Sequence, residues 1–350
     1  MTPEHLIPSQ LSFNLHFETY ILQVAIHIKN NNSAFKAITI GNAMFRLLSS
    51  LPFFTKPRLQ LSHRVVLITG AAQGLGWELA QQLHLKGARL VLVDEQENTV
   101  KQRAQSLGQK ALAIAADVTD ASAMEAAMQH TLAHFGRIDV VIANAGITPP
   151  TATLRTGHPE AFQRVMDVNV QGVFNTVHPA MEALIQQGGH ILVVTSCAAF
   201  CPPVAGAAYM VSKAAVEQLA RGLSLELAIH GVSVTTAYLG IVDTALAKDT
   251  LDKDPTGRML QERLPKRLRQ RLSTKEAATT LLKAIQQRAP TVVAPTAWLP
   301  YAWFRGVLNP LMDRVLTQDP KLKNLLKQLE ETQAPSSQVP MFKHQGDDHA

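Results

Sequence analysis

The chain has 350 residues, of which 46% are hydrophobic, and a formal net charge of +6. It is somewhat longer than one typical domain and has enough apolar side chains for a large core. No run of eighteen or more apolar residues occurs, which argues against a membrane-spanning helix. The thirteen histidines are scattered and form no metal-binding motif, so no metal site is predicted.

The two cysteines, Cys197 and Cys201, lie four residues apart. This spacing fits neither a zinc site nor a disulfide framework. We therefore expect two small buried thiols in a protein of a reducing compartment, the cytoplasm.

The first sixty residues precede the regular pattern of strands and helices. Within them, residues 44–54 form an apolar patch flanked by Lys36 and Lys56. The patch is too short to span a bilayer but could lie in its interface; alternatively, Met44 is the true start of the protein. Residues 1–60 are predicted to be an N-terminal extension, either membrane-associated or upstream of the functional chain.

A predicted strand, a glycine turn and a helix follow in that order from His63 onward. The turn and the start of the helix contain Gly70, Gln73, Gly74, Leu75 and Gly76. Glycines permit a tight turn in which backbone N–H groups come close to a ligand, and a helix N-terminus attracts anions. This order of elements is the context that a dinucleotide pyrophosphate requires.

The next predicted strand, residues 89–93, is followed by Asp94, eighteen residues after Gly76. A carboxylate at this position accepts hydrogen bonds from the adenosine ribose hydroxyls. It would also repel a 2′-phosphate, so the sequence favours NAD over NADP as the cofactor.

Ser196, Tyr209 and Lys213 have the spacing of a proton-transfer site. Tyr209 and Lys213 lie four residues apart in a predicted helix and so share one face. We expect the ammonium of Lys213 to lower the pKa of Tyr209, because a neighbouring cation favours the phenolate. Ser196 follows a predicted buried strand, residues 191–194, and would lie at the edge where open parallel sheets bind ligands.

Alternating strands and helices from Leu61 to Ala294 predict a doubly wound parallel sheet, the Rossmann fold, as a single catalytic domain at residues 61–295. Residues 273–276 form a capping box that begins the helix before the last strand, residues 291–294.

The C-terminal part is basic, with sixteen Lys and Arg against eight Asp and Glu between Lys248 and Glu330. This charge indicates a solvated helical face, contact with anionic lipid or an acyl carrier, or nucleic-acid binding. Aromatic residues do not interleave with the densest cluster, which argues against nucleic acid.

Residues 296–332 are predicted to be an extension in which Trp298, Trp303 and Phe304 mix with cations and aliphatic residues. This composition suits a membrane interface or a hydrophobic partner surface. The alternative is packing on the core or on a second subunit. The polar, proline-containing end at residues 333–350 is predicted to be disordered.

Together these motifs resemble the short-chain dehydrogenase/reductase family in its classical form, over residues 61 to 294. The resemblance implies further site residues: Asp117 and Val118 at the adenine, Asn144, Ala145 and Gly146 beside the cofactor, and Asn169 as the anchor of a water in the proton relay. Family members usually have Pro-Gly after the sixth strand, whereas this chain has Leu239 and Gly240. The implied contacts of the nicotinamide end are Gly240, Val242 and Thr244.

The resemblance implies that the protein interconverts a secondary alcohol and a ketone with NAD. Ser196 would hold the substrate oxygen and Tyr209 would exchange its proton, while Lys213 would bind the nicotinamide ribose. The substrate lid, residues 244–272, and the aromatic extension favour a lipophilic substrate such as a sterol, a retinoid or a long-chain acyl compound. The family commonly forms homodimers or homotetramers.

Two alternatives remain from the sequence. A 3-ketoacyl reductase could use the basic lid to dock an acyl carrier, although such enzymes mostly use NADP and Asp94 counts against that cofactor. A non-catalytic NAD-binding or membrane scaffold could retain the fold, although the intact set Asn169, Ser196, Tyr209 and Lys213 counts against it.

Overall fold

The computed structural model describes residues 57–333 of the chain. The patch at residues 44–54, most of the predicted N-terminal extension and the end of the chain after Gln333 lie outside the described residues.

The centre of the fold is a sheet of seven strands in the order β3-β2-β1-β4-β5-β6-β7, and all neighbouring strands are parallel. The strands are β1 (Val65–Thr69), β2 (Arg89–Asp94), β3 (Ala111–Ala115), β4 (Val140–Ala143), β5 (His190–Ser196), β6 (Ser233–Leu239) and β7 (Thr291–Ala294). The order reverses between β1 and β4, so the loops after these strands run in opposite directions and open a crevice.

Eleven α-helices of six residues or more connect and extend these strands within residues 57–333. They are α1 (Gly74–Leu85), α2 (Glu97–Leu107), α3 (Ala121–Phe135), α4 (Pro159–Met166), α5 (Gly172–Val177), α6 (Met181–Gln187), α7 (Ala207–Glu226), α8 (Pro255–Arg263), α9 (Thr274–Gln287), α10 (Leu299–Gln318) and α11 (Pro320–Gln333). The predicted capping box is present, because Ser273 and Glu276 exchange hydrogen bonds at the start of α9.

Each face of the sheet has its own core, because successive strand side chains point to opposite sides. Val66 and Ile68 of β1 belong to one core with Leu79 of α1. Val65 and Leu67 belong to the other, which contains side chains from α3 and α7. Burial on both faces explains the continuous apolar strands of the sequence and confirms the predicted doubly wound fold.

No helix among residues 57–333 is both long enough and apolar enough to cross a membrane.

The amino ends of three strands meet at one buried carboxylate, Asp139. It accepts hydrogen bonds from Arg64 at 2.7 Å, Arg137 at 2.6 Å and the Val65 backbone N–H at 2.9 Å. Its own backbone N–H donates to Val65, and its carbonyl accepts from His190. Burial alone would raise the pKa of Asp139, but these donors hold it below its ordinary value.

We expect Asp139→Asn to reduce the free energy of unfolding by about 3 kcal/mol at pH 7, because two arginines lose a buried ionic partner. A carboxyl group whose folded-state pKa is depressed stabilises the fold above its unfolded pKa and stops doing so as pH falls through the folded pKa. The difference between the variant and the unsubstituted protein should therefore shrink below about pH 4. Urea unfolding at several pH values measures this difference.

Glu97→Gln is the matched control. Glu97 pairs with Lys101 at the surface of α2, and an exposed pair of this kind contributes little to stability. Removal of this ion pair should leave the midpoint of urea unfolding unchanged. An Asp139→Asn effect as small as that of the control would show that the ionic cluster does not hold the strand ends together.

Candidate active site

The glycine turn between β1 and α1 has the backbone that a phosphate-binding loop needs. Gly70 and Gly74 have φ angles of +65° and +57°, which favour glycine, and a Cβ atom on Gly76 would lie 2.1 Å from the Gly70 carbonyl oxygen. The side chain of the N-cap residue Gln73 does not cap the helix, and the first turn, which includes Leu75, has no acidic residue. The free N–H groups of this helix end fit a pyrophosphate.

Asn144 holds the end of β4 against this turn. Its side-chain amide donates to the carbonyls of Thr69 at 3.0 Å and Gly70 at 3.2 Å, and its backbone N–H donates to the Thr69 hydroxyl. A Cβ atom on Gly70 would lie 3.0 Å from Cα of Ala145. The predicted residues 144–146 therefore lie directly beside the glycine turn.

Asp94, at the end of β2, is buried against the same turn. Its carboxylate accepts hydrogen bonds from the backbone N–H groups of Ala72 at 2.9 Å and Gln96 at 3.0 Å. Sequence reasoning missed Arg103, whose Nε donates to the Ala72 carbonyl at 3.1 Å and whose guanidinium lies 4.6 Å above the Trp77 ring. No local spacing signals this contact, because it depends on how α2 packs beside α1.

Asp117 and Val118 lie just beyond β3, at the same edge of the sheet. Asp117 accepts a hydrogen bond from the Thr119 N–H at 2.9 Å and lies 3.4 Å from Arg164. Burial opposes the charged form, but these two neighbours hold the pKa of Asp117 below its ordinary value. The Val118 carbonyl accepts from Asn175 of α5 at 2.9 Å, so this loop is tied to the helices on one face.

Ser196 lies at the end of β5 and Tyr209 in the first turn of α7, and their hydroxyl groups are close enough for Ser196 to affect the pKa of Tyr209. Ser196 also accepts from the Ala198 N–H at 3.1 Å and lies 3.2 Å from the Leu239 carbonyl. Burial raises the pKa of Tyr209, and the neighbouring Ser196 hydroxyl opposes this shift.

Lys213 lies one turn after Tyr209 but does not have the predicted effect on its pKa. The ammonium donates to the Val194 carbonyl at 3.2 Å and lies 5.7 Å from the centroid of the Tyr209 ring. Because the ammonium faces the backbone of β5, burial of the phenol decides the direction of the Tyr209 shift, which is upward. Burial also lowers the pKa of Lys213 to about 8.

Asn169 lies in a π-helical turn, Asp167–Gln171, between α4 and α5. Its side chain accepts from the Ile147 N–H at 2.8 Å and donates to the Ile147 carbonyl and the Ser212 hydroxyl. A Cβ atom on Gly146 would lie 3.2 Å from its Oδ1 and 3.4 Å from Nζ of Lys213. Asn169 therefore joins the loop after β4 to the helix that carries Tyr209 and Lys213.

The loop after β6 faces the glycine turn from the other side. A Cβ atom on Gly74 would lie 3.7 Å from Cγ2 of Thr244. Val242 forms an isolated bridge with Leu272, and the Asp243 N–H donates to the Leu272 carbonyl at 2.8 Å. The end of the predicted lid thus anchors the loop that contains Gly240, Val242 and Thr244.

The lid, residues 244–272, covers an aromatic cluster beside Ser196. Leu264 and Leu268 of the lid pack against this cluster, whose buried members are Cys197, Phe200, Tyr238 and Trp298. The hydroxyls of Thr148 and Thr250, 2.8 Å apart, join the loop after β4 to the lid. Cys197 and Cys201 are both free thiols. Cys197 is buried as predicted, whereas Cys201 is only partly buried.

Sequence reasoning also missed contacts between the C-terminal helices and the loops around the site. Glu330 of α11 accepts hydrogen bonds from Thr153 at 2.9 Å and Arg155 at 2.8 Å. Asp319, between α10 and α11, forms an ion pair with Arg263 of α8. These pairs are too distant in sequence for any spacing to indicate them.

The structure thus brings the glycine turn, Asp94, Asn144 and the Ser196–Tyr209–Lys213 set to one edge of a single sheet. No cluster of His, Cys, Asp and Glu that could hold a metal ion occurs within residues 57–333. The sequence model of the short chain dehydrogenase family matches residues 64–255. The chain belongs to this family.

Relatives of this short chain dehydrogenase include other oxidoreductases. An uncharacterized oxidoreductase of Staphylococcus epidermidis is 32% identical over 192 residues, which are 55% of this chain and 83% of that protein. The 2-(R)-hydroxypropyl-CoM dehydrogenase of Xanthobacter autotrophicus is 30% identical over 211 residues, which are 58% of this chain and 84% of that enzyme.

Solved structures of short chain dehydrogenases are similar over the catalytic core. A 3-ketoacyl-(acyl-carrier-protein) reductase from Brucella melitensis, complexed with NADH, has a TM-score of 0.59 and 27% identity and covers 67% of this chain and 97% of its own. A short-chain type dehydrogenase/reductase from Mycobacterium marinum has a TM-score of 0.60 and 28% identity. The match covers 67% of this chain and 94% of that protein. The chain is therefore an oxidoreductase of this family, with the family's Rossmann-like sheet.

Proposed function

We propose that this oxidoreductase interconverts a secondary alcohol and a ketone with NAD. The observation that carries the proposal is the position of Tyr209 beside Ser196, with Lys213 one turn away, at the same sheet edge as the glycine turn. A hydride-transfer enzyme needs a proton-transfer pair and a dinucleotide-binding loop close together, and here both would lie at one edge of the sheet.

Each residue has a defined task in this proposal. The Ser196 hydroxyl donates to the substrate oxygen, and Tyr209 removes the hydroxyl proton of the alcohol or returns it to the ketone. Lys213 holds the nicotinamide ribose, and Asn169 supports the route by which the proton reaches solvent. Bound NAD supplies the hydride acceptor at C4 of its nicotinamide ring, and the protein contributes position and proton transfer.

NAD is the proposed cofactor because of Asp94. Its carboxylate is already hydrogen-bonded to Ala72 in the glycine turn, so it lies where the adenosine ribose would approach. The NADH complex of the Brucella reductase supports the same choice. NADP is the alternative, and it would place a phosphate dianion next to this carboxylate.

A lipophilic substrate fits the surroundings of Ser196. The cluster behind it is aromatic, and Leu264 and Leu268 close over it from the lid. The second candidate is reduction of carrier-bound 3-ketoacyl groups, supported by the Brucella structure and by the exposed side chains of Lys266 and Arg267 on the lid. Either substrate would present an apolar chain to the same cluster.

We further propose that α10 contacts an anionic membrane surface. Phe304, Val307, Leu311 and Val315 are exposed at helical spacing, Val307 to 74%. Such residues share one face of the helix, and the exposed cations of Arg314 and Lys321 lie beside it in sequence. Apolar side chains with flanking cations suit an interfacial helix. A second copy of the chain is the other partner that this face could take.

Tyr209→Phe should lower turnover by at least about 100-fold, because positioned general acid–base catalysis contributes about 10²–10⁴-fold. NAD affinity should stay unchanged, since only a hydroxyl is lost. Alcohol oxidation by the unsubstituted protein should rise with pH, because burial raises the pKa of Tyr209 and the phenolate is the base. Absorbance at 340 nm with sterols, retinol and aliphatic alcohols measures the rates.

Tyr301→Phe is the control for that experiment. It makes the same chemical change at a hydroxyl that bonds Asn309 at 2.7 Å and takes no part in the proposed proton transfer, so turnover should stay unchanged. Tyr209→Phe with normal turnover would exclude this mechanism. An unsubstituted protein that binds NAD but oxidises and reduces nothing would instead favour the non-catalytic scaffold.

Asp94→Asn should narrow the preference for NAD over NADP by about tenfold or more, because the variant keeps the shape but removes the charge that faces a 2′-phosphate. Fluorescence titration with NADH and NADPH gives the two dissociation constants. Asp313→Asn, at a carboxylate on α10, should change neither constant. Equal affinity of the unsubstituted protein for both cofactors would contradict the role of Asp94.

The protein should sediment with anionic phospholipid vesicles at low salt. Val307→Lys combined with Leu311→Lys should weaken this partitioning by more than about tenfold, since two apolar side chains leave the interface. Ile229→Lys, at a side chain 84% exposed elsewhere, is the control and should bind normally. If the unsubstituted protein stays in the supernatant and the double variant changes the oligomeric state, the face belongs to a second subunit.

A further inference from the structure

Gly240, the first residue after β6, lies against the C-terminal extension. A Cβ atom on Gly240 would lie 2.9 Å from Nε1 of Trp298 and 3.0 Å from Cδ of Pro295. The Gly240 N–H donates to the Ala294 carbonyl at 2.7 Å. The loop that begins at Gly240 is therefore held on one side by residues that follow β7.

Trp298 is itself held firmly in place. It is 3% exposed, its backbone N–H donates to the Pro295 carbonyl at 3.1 Å, and its ring meets that of Phe200 edge to face. Within residues 57–333, the indole N–H has no hydrogen-bond acceptor. Because a buried donor without an acceptor is unfavourable, hydrogen bonding does not explain the indole at this position. The indole is held instead by packing against the rings of Phe200 and Tyr301 and against Gly240.

A second contact ties the extension to the helix that carries Tyr209 and Lys213. Arg305 of α10 donates two hydrogen bonds to the carboxylate of Glu217, one of them at 2.9 Å. Glu217 is buried one turn after Lys213 in α7. The guanidinium of Arg305 also lies 5.5 Å above the ring of Phe200, which contacts Trp298. The extension therefore connects the loop after β6 to α7 through side chains that are packed on several sides.

We propose that Trp298 is a positioning residue for the nicotinamide half of the cofactor. The inference rests on the proposed function, in which Gly240, Val242 and Thr244 receive that half. The loop has Leu239 and no proline to stiffen it. Trp298 supplies the constraint from outside, because it blocks movement of Gly240 toward β7. The adenosine half, held by the glycine turn and Asp94, does not depend on this contact.

The test compares NAD with ADP-ribose, which has the adenosine and both phosphates but no nicotinamide. Isothermal titration calorimetry on the full chain gives both affinities without a substrate. Trp298→Phe, which leaves a gap beside Gly240, should weaken NAD binding about tenfold. This is the loss expected when one or two hydrogen bonds to the nicotinamide end are lost. ADP-ribose affinity should stay unchanged. Trp303→Phe, the same substitution at an exposed side chain of α10, should alter neither affinity.

A reciprocal variant tests the contact from the other side. Gly240→Ala introduces a Cβ atom at 2.9 Å from the indole nitrogen. It should also weaken the binding of NAD but not the binding of ADP-ribose. Combining it with Trp298→Phe should restore part of the NAD affinity, because the smaller ring makes room for the methyl group. A role confined to general packing would not produce this rescue.

The proposal is overturned if Trp298→Phe binds NAD normally or loses affinity for NAD and ADP-ribose equally. It is also overturned if the double variant binds NAD no better than Gly240→Ala alone. Failure of the proposed function has a different signature. The unsubstituted protein would then bind neither NAD nor ADP-ribose, and both proposals would fall.

Discussion

The side chain of Asn144 fastens the carboxyl ends of β1 and β4 to each other, and the rest of the site is built outward from this junction. Its amide donates to the carbonyls of Thr69 and Gly70. These two strands are neighbours at the point where the order of the sheet reverses, so their loops diverge and leave a crevice. Together with the pairing of β1 and β4 and the hydrogen bonds from the backbone N–H groups of Asn144 and Ala145 to the Thr69 hydroxyl, this junction sets the spacing between the glycine turn and the loop at residues 144–146.

The same junction reaches the proposed proton-transfer groups in two steps. Gly146 lies two residues after Asn144. It packs so close to Asn169 and Lys213 that a Cβ atom on it would touch both side chains. Asn169 in turn bonds Ile147 and Ser212, so the loop after β4 and helix α7 form one hydrogen-bonded frame. Strand β5 joins this frame through two hydrogen bonds with Lys213, one from the Thr195 hydroxyl to the Lys213 carbonyl at 3.0 Å and one from the Lys213 ammonium to the Val194 carbonyl at 3.2 Å. The glycine turn and the proposed proton-transfer groups are therefore tied to one another, which would favour hydride transfer over a short distance.

The C-terminal extension adds restraints that local sequence motifs do not include. Trp298 packs on Gly240, Arg305 pairs with the buried Glu217, and Glu330 bonds the loop that contains Thr153. Each contact fixes a loop or a helix that borders the candidate site. Binding loops are the parts of such folds that vary and move most. An extension that holds several of these segments at once therefore helps to set the shape of the candidate site.

The sequence by itself determined the doubly wound sheet, the glycine turn and the face of α7 that carries Tyr209 and Lys213, because strand burial, turn chemistry and helical spacing are local properties. It predicted the residues at the sheet edge for the same reason, since parallel strands deliver their carboxyl ends to one side. Only the tertiary structure decided what surrounds these groups. The ammonium of Lys213 bonds Val194, burial raises the pKa of Tyr209, and Trp298 meets Gly240. Solvation and contact between residues far apart in the chain depend on how whole elements pack, and no short spacing encodes that.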